Sequence, residues 1–332
     1  MPNIAFNIGY RVPGDPTLHE YAANSAEFTY VASAASIARA MFAHPQVKQG
    51  LTQIAFQFDQ RTLRSQWFQG SVSLAQQWVG YFIERFLQAE FPRIVVDFTI
   101  TNADCLGYHP RLPWDGRLED FPLNRQGVHL NGASQRIRDM TTAGSGNTPH
   151  ANRRFRDFQF AFATTFLHEA GPHLLISWLG GGRPLTPPAM SAPGFGTAAM
   201  GESGRYFELI VFGGTTEFYR DKDQDNAQAG MPYQLRSDGQ AWKIKRDAID
   251  KVCLYDFSFP FDVVPPPVDP RTMESMGRFS TDPPPTGSHD QALMAQQAEL
   301  EPQLRYLASS TVCEADLRAV PYNPSTRLVR VA

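Results

Sequence analysis

The chain has 332 residues, enough to bury a sizeable core as one large domain or two smaller ones. Apolar residues make up 42% and charged residues 19%, with a formal net charge of -3, which describes an ordinary globular protein without an electrostatic footprint for nucleic acid. No apolar run reaches the roughly 18 residues of a membrane span, and the opening M-P-N-I-A-F-N-I-G-Y lacks the basic start and apolar stretch of a secretory signal.

Neither nucleic acid nor membrane is therefore expected as a partner. A cytoplasmic location is expected, the alternative being a secreted chain whose signal has been removed. Cys105, Cys253 and Cys313 are far apart and odd in number, and they form neither a C-x-x-C pair nor a disulfide framework.

Residues 25–43, S-A-E-F-T-Y-V-A-S-A-A-S-I-A-R-A-M-F-A, are rich in alanine and free of Gly and Pro, which predicts a buried helix. Residues 51–58, L-T-Q-I-A-F-Q-F, alternate loosely and read as a strand. From Ser71 onward, Leu74, Trp78, Phe82 and Phe86 recur at helical spacing until Pro92, and R-I-V-V-D-F-T-I-T (93–101) is the clearest strand. A loop rich in Pro, Gly and Asp follows. Next, G-V-H-L-N (127–131) reads as a short strand, A-S-Q-R-I-R-D-M as a helix, and 141–149 as a flexible loop.

A long helix is expected from about Asn152 to Leu179. Phe155, Phe158, Phe162 and Phe166 form one apolar stripe, and Phe160, Leu167 and Leu174 form another, so the helix should be enclosed. G-G-G-R-P-L-T-P-P (180–188) stops it. S-G-R-Y-F-E-L-I-V-F (203–212) predicts a second helix, and T-T-E-F-Y-R and A-W-K-I-K-R predict two strands of a peripheral hairpin. From Pro260 the composition shifts: P-P-P at 265–267 and again at 283–285 predicts extended chain, with a last helix from about Asp290 to Leu307. The chain thus divides into a body, 1–259, and a Pro-rich segment, 260–332, that packs on it. There is no internal repeat.

The chemistry lies in H-E-A-G-P-H, residues 168–173, within the long helix. In an H-E-x-x-H helix the two histidines stand four residues and about 40° apart, so both reach one ion. His168 and His173 are five residues apart, which on a regular helix is about 140°. A π-bulge absorbs one extra residue in a wide turn and would bring the two together. Pro172 has no N–H to give to the His168 carbonyl, and Gly171 beside it eases the distortion. On this reading His168 and His173 bind zinc and Glu169 is the general base. The competing geometry is an undistorted helix, on which Glu169 and His173 share a face and His168 points elsewhere. A third reading makes all three polar groups of a kinked helix and nothing more.

H-E-A-G-P-H resembles the H-E-x-x-x-H variant of dipeptidyl-peptidase III-type zinc peptidases and, more broadly, the zincins. The likeness rests on those six residues. It implies an α+β, zincin-like fold, mostly helical, with a small mixed sheet and a long metal-binding helix, and Zn2+ as cofactor. In gluzincins the third ligand is a glutamate on a downstream helix, which here implies Glu202 in G-E-S-G-R-Y-F-E. That stretch lacks the paired Glu-Glu of the dipeptidyl peptidases. Glu208 competes for the role, since six helical steps put it about 120° from Glu202. It would otherwise support a ligating histidine from behind. Arg205 and Tyr206 share a helical face with Glu202 and are the expected stabilisers of a developing oxyanion.

Other signals are weaker. His129 in G-V-H-L-N-G lies where zincins carry their substrate-binding edge strand, but reads better as a satisfied histidine. D-K-D-Q-D-N (221–226) has carboxylates at calcium-loop positions 1, 3 and 5 yet lacks the Gly and Glu such a loop needs, so a solvated turn is expected. There is no G-x-S-x-G, and G-G-G at 180–182 follows a helix, unlike a phosphate loop. The expected function is metal-dependent hydrolysis of a peptide or amide. The alternatives are a zincin-shaped interaction protein with a degraded site, or a metal-dependent, non-proteolytic step on a small molecule.

Overall fold

The computed structural model describes residues 3–62, 67–102, 105–132, 135–269 and 302–320, with Thr272, Met273, Met276 and Leu300 beside them. Its elements are α+β. Strands β1 (Asn3–Phe6), β2 (Ile8–Arg11) and β3 (His19–Glu20) come first. Helix α1 (Ala26–Met41) then starts where Ser25 Oγ accepts from the Phe28 amide. Its alanines are buried, as their crowding predicts, and it packs along α5 (Pro149–His168).

Residues 51–58 are not a strand. They belong to α2 (Pro45–Arg61), which begins with a proline at its first turn and His44 as cap. Val47, Leu51, Ile54, Ala55 and Phe58 are all buried. A helix gathers that three-and-four spacing on one side, whereas a strand would split it between two faces. Ser71 caps α3 (Val72–Phe82), and a π turn, Ile83–Ala89, carries it toward Pro92 and β4 (Arg93–Asp97).

β4 lies in a five-stranded mixed sheet of order β3-β2-β4-β6-β5, with β5 at Gly107–Tyr108 and β6 at Gly127–Asn131. The three middle strands are parallel and the two outer ones antiparallel. The edge strand β5 meets the long helix, where Gly107 lies against Thr165 of α5, and β6, buried at all five positions, is an inner strand. A two-residue strand inside a Pro-rich loop has no alternation to reveal it. Ile94, Val96, Val128 and Leu130 join the main apolar core. The opposite face carries Asp97 and His129, and Leu304 and Leu307 approach it at Gly127 and Gly9.

His129 is fully buried, with Nδ1 3.1 Å from Asp97 Oδ2 and its ring stacked on Tyr108. Burial pushes the Asp97 carboxyl up, but the His129 hydrogen bond and charge, with the Thr99 hydroxyl and amide, outweigh it and hold the group down at about 2. An unfolded aspartate titrates near 3.9, so this depressed value stabilises the fold above about pH 4, and that stabilisation is lost as pH falls through about 2. Its size is about 2 kcal/mol. Asp97→Asn should therefore flatten the acid limb of a urea-midpoint curve. Two curves that remain parallel down to pH 2 would refute that assignment.

Helix α4 (Arg136–Ser145) extends into the stretch expected as a loop, and α5 starts at Pro149 under a Thr148 cap. The remaining body consists of α6 (Leu174–Gly180), α7 (Ser203–Phe212) and an antiparallel sheet of order β10-β9-β8-β7. T-T-E-F-Y and A-W-K-I are indeed strands, β7 (Thr215–Tyr219) and β9 (Ala241–Ile244), but β8 (Met231–Leu235) runs between them. Pro232 hid that strand. Nor is the sheet peripheral, since β7 is buried throughout and packs against α7. Helix α8 (Arg246–Cys253), which follows β9, carries no stop or cap signal strong enough to read.

The first proline run lies in the outer strand β10 (Val263–Val268), where missing N–H groups are tolerated and the register slips between Val264 and Val268. The second run and most of the expected 290–307 helix lie outside the described residues. Near the end, β11 (Ser310–Cys313) pairs with β1, and a short helix, Glu314–Ala319, lies on α1.

Candidate metal centre

At the end of α5 the helical ladder widens into a π turn, Glu169–His173, in which the Leu174 amide reaches back five residues to the Glu169 carbonyl. Pro172 sits inside this turn, where its missing N–H costs nothing further. The extra residue is absorbed there, and α6 continues the axis. As a result the rings of His168 and His173 stand with centroids 4.9 Å apart.

Glu202 comes from the other side, as the N-cap of α7, its carboxylate accepting from the amides of Gly204 and Arg205. Its Oε1 meets His173 Nε2 and lies 3.5 Å from His168 Nε2. One donor atom each from His168, His173 and Glu202 falls within 4.8 Å of the others.

A carboxylate holds the far nitrogen of each imidazole. Glu208 Oε1 is 2.7 Å from His168 Nδ1, and Glu169 Oε2 is 2.8 Å from His173 Nδ1. Such partners fix Nδ1–H and turn the Nε2 lone pair outward, the arrangement found behind metal-bound histidines. Glu208 thus stands behind His168 while Glu202 stands in front. Burial alone would raise the Glu202 carboxyl, but the charges of His173 and His168 hold it well below the ordinary range. Burial would likewise lower His168, yet Glu202 and Glu208 lift it well above its ordinary value.

Arg205 and Tyr206 do not join this cluster. The Arg205 guanidinium turns to Glu208 Oε2 (3.1 Å), the Thr216 carbonyl (2.7 Å) and Glu217 Oε1 (3.0 Å). Two buried carboxylates on that side require a cation. Tyr206 donates to Gln57 Oε1 on α2, 2.9 Å away.

Two residues that give no signal in spacing lie close by, both from the loop before β6. His109 bridges the Gly127 carbonyl (2.8 Å) and Ser177 Oγ (2.9 Å), the latter one helical turn beyond His173. Burial pushes His109 down to about 3, so it is neutral, donating from Nδ1 and accepting at Nε2. Arg111 donates to Thr186 Oγ1 (2.6 Å) and Ser203 Oγ (3.1 Å), and Ser191 Oγ receives the Glu202 amide (2.8 Å). Together they fix the start of α7 and hence the Glu202 carboxylate.

A narrow cleft opens beside the cluster, between Gly107 of β5 and Thr216 of β7, with Thr165, His168, Glu169, Glu208 and also Arg205 along it. The 221–226 run forms the turn between β7 and β8. There Asp221 accepts from the Asp223 amide and Asp225 pairs with Arg154. Among the described residues no helix is long and apolar enough to cross a membrane. No protein-family model matches the chain, and neither a curated protein nor a solved structure is significantly similar to it.

Proposed function

We propose that the protein is a metal-dependent hydrolase of peptide or amide bonds, with His168, His173 and Glu202 as ligands of a zinc ion in a zincin-like fold. The observation that carries this reading is the π turn, which converges two histidines that a regular helix would hold apart. Two imidazole nitrogens and one carboxylate oxygen suit zinc, and three protein ligands leave the fourth position open, as in catalytic sites. Further support comes from the carboxylate behind each histidine, and from a mixed sheet whose antiparallel outer strand, β5, runs beside the metal-site helix.

A bound zinc ion would supply Lewis acidity, polarising the scissile carbonyl and lowering the pKa of a water molecule toward neutrality. The chain's own contribution is proton handling and orientation. Glu169 Oε2 orients His173, while Oε1 lies 4.0 Å from His168 Nε2, on the side of the donor cluster. From there Glu169 accepts the proton of the attacking water and returns it to the leaving amine. Gly107 of β5 lines the cleft, so β5 is the strand an extended substrate would meet there.

Glu169→Gln tests the assignment, since it preserves shape and removes basicity. It should keep stoichiometric zinc and lose hydrolytic rate by about 10²-fold or more. Loss of the zinc as well would make Glu169 part of the metal-holding set and overturn its role as base.

A further inference from the structure

We propose that the protein binds short peptides with both termini free, in a polar pocket separate from the metal cluster. The loop between β5 and β6 builds most of this pocket, with Arg85 and Glu90 from the π turn after α3 and Arg305 from the chain before β11. Its volume is about 650 Å³, within the roughly 300–1,000 Å³ of small-molecule sites. It shares no residue with the His168, His173 and Glu202 cluster, so the inference goes beyond the hydrolase reading and does not depend on it.

Charge decides the ligand class. Arg85, Arg125 and Arg305 line the pocket, and so do Glu90, Asp115 and Asp120. A plain anion would meet three carboxylates there and a plain cation three guanidiniums, and such like-charge contacts exclude a ligand. A zwitterion gains from both sets. Arg85 suits the carboxylate end. The Tyr81 hydroxyl and the Glu119 carbonyl both accept from its Nη1, and its guanidinium carbon lies 5.2 Å from the centre of the Phe86 ring. It is therefore held in place before a ligand arrives, which lowers the cost of binding. Asp120 lies 3.4 Å from Arg117, a pair exposed enough to exchange for a ligand ammonium.

Gln126 is the second observation that points to a ligand. The residue is 3% exposed, and the surface it keeps lines this pocket. Its backbone N–H donates to the Leu123 carbonyl and its carbonyl accepts from the Arg93 amide, yet its side-chain amide has no hydrogen bond among the described residues. A buried amide left unbonded is destabilising, and this one offers an acceptor and two donors, the complement of a peptide group. The loop around it is firm. Trp114 Nε1 donates to the Ser177 carbonyl (2.8 Å) and Trp178 Nε1 to the Leu118 carbonyl (2.8 Å), which pins residues 114–118 to α6.

Calorimetric titration of the metal-free full chain with trialanine tests the site, alongside the N-acetylated, the C-amidated and the doubly blocked peptide. Trialanine should bind with a Kd of about 1 mM or lower. Blocking either terminus should weaken binding about 10-fold or more, and blocking both should abolish it. Gln126→Leu, which keeps most of the volume, should weaken trialanine about 10-fold or more. Asp115→Asn changes an exposed residue, so the fold should not suffer, and it should cost about 3-fold in affinity.

An N-acetylated peptide that binds as tightly as trialanine would make this a plain anion site and overturn the proposal. So would the absence of saturable binding, or wild-type affinity in both variants. Zinc uptake separates the two proposals, because both variants should take up zinc as the wild type does. A chain that binds trialanine but no zinc would sink the hydrolase reading and leave the peptide site standing.

Discussion

Gly204→Ala is expected to weaken metal binding by more than about 100-fold, because the new methyl group would occupy the space of a metal ligand. A Cβ built on Gly204 falls on the leading edge of the His168 ring, against Nε2, Cε1 and Cδ2, far inside contact distance. The ring cannot retreat, since Glu208 holds its other nitrogen at 2.7 Å. It must therefore turn out of the cluster or drive α7 away. In an ordinary helix, Gly→Ala stabilises by up to about 1 kcal/mol. Here the overpacking, about 1–3 kcal/mol, should reverse the sign. Zinc titration and thermal unfolding of the variant measure the two effects. Wild-type affinity in Gly204→Ala would mean that His168 does not approach α7 in solution.

Arg205→Met should carry the largest stability penalty of any single change near the site, about 3–5 kcal/mol. Arg205 joins Glu208 and Glu217, whose side chains are 4% and 0% exposed, and it also bonds the Thr216 carbonyl. Methionine keeps most of the volume but leaves two buried carboxylates without that cation. Because Glu208 orients His168, the loss should also reach the metal site, lowering zinc affinity about 10- to 100-fold. Urea denaturation of the metal-free chain separates the stability effect from the affinity effect. A stability within about 1 kcal/mol of wild type would show that the network is not what ties α7 to β7.

These two residues illustrate where sequence reading stops. The bulge was legible, because a five-residue His spacing with a proline inside admits few backbone solutions that bring the histidines together. Glu202 was legible only through the resemblance to gluzincins; the helical count from it does not apply, because Glu202 is the N-cap, outside the helix, and its carboxylate and that of Glu208 flank the same His168 ring. The same count placed Arg205 beside it, yet the guanidinium runs to Glu208 and to Glu217 on β7, an expected strand whose place against α7 the count does not give. His109 and Arg111 left no trace, since a loop has no period, and their partners, Gly127, Ser177, Thr186 and Ser203, are 18 to 92 residues away. In the fold, capped helices such as α1 and α3 read directly, as does the β-branched strand β4, although it ends at Asp97 and not at the expected Thr101. Helix α2 misled because Ile54, Phe56 and Phe58 keep period two over so short a window, and only Leu51, out of phase with them, and the wider span from Pro45 decide for a helix. Strand β5 is two residues long and defined wholly by its neighbour β6.

The central claim is that the π turn builds a three-ligand metal site from His168, His173 and Glu202. Its most direct test is the metal content of the purified full chain, reconstituted with zinc and passed through a desalting column, for the wild type and for His168→Ala. The account predicts about one zinc per wild-type chain, removable by chelator and restored on readdition, and less than roughly a tenth of that in His168→Ala. Stoichiometric zinc retained by His168→Ala would contradict it and move the site to the Glu169 and His173 pair. A wild-type chain that retains no zinc would contradict it outright.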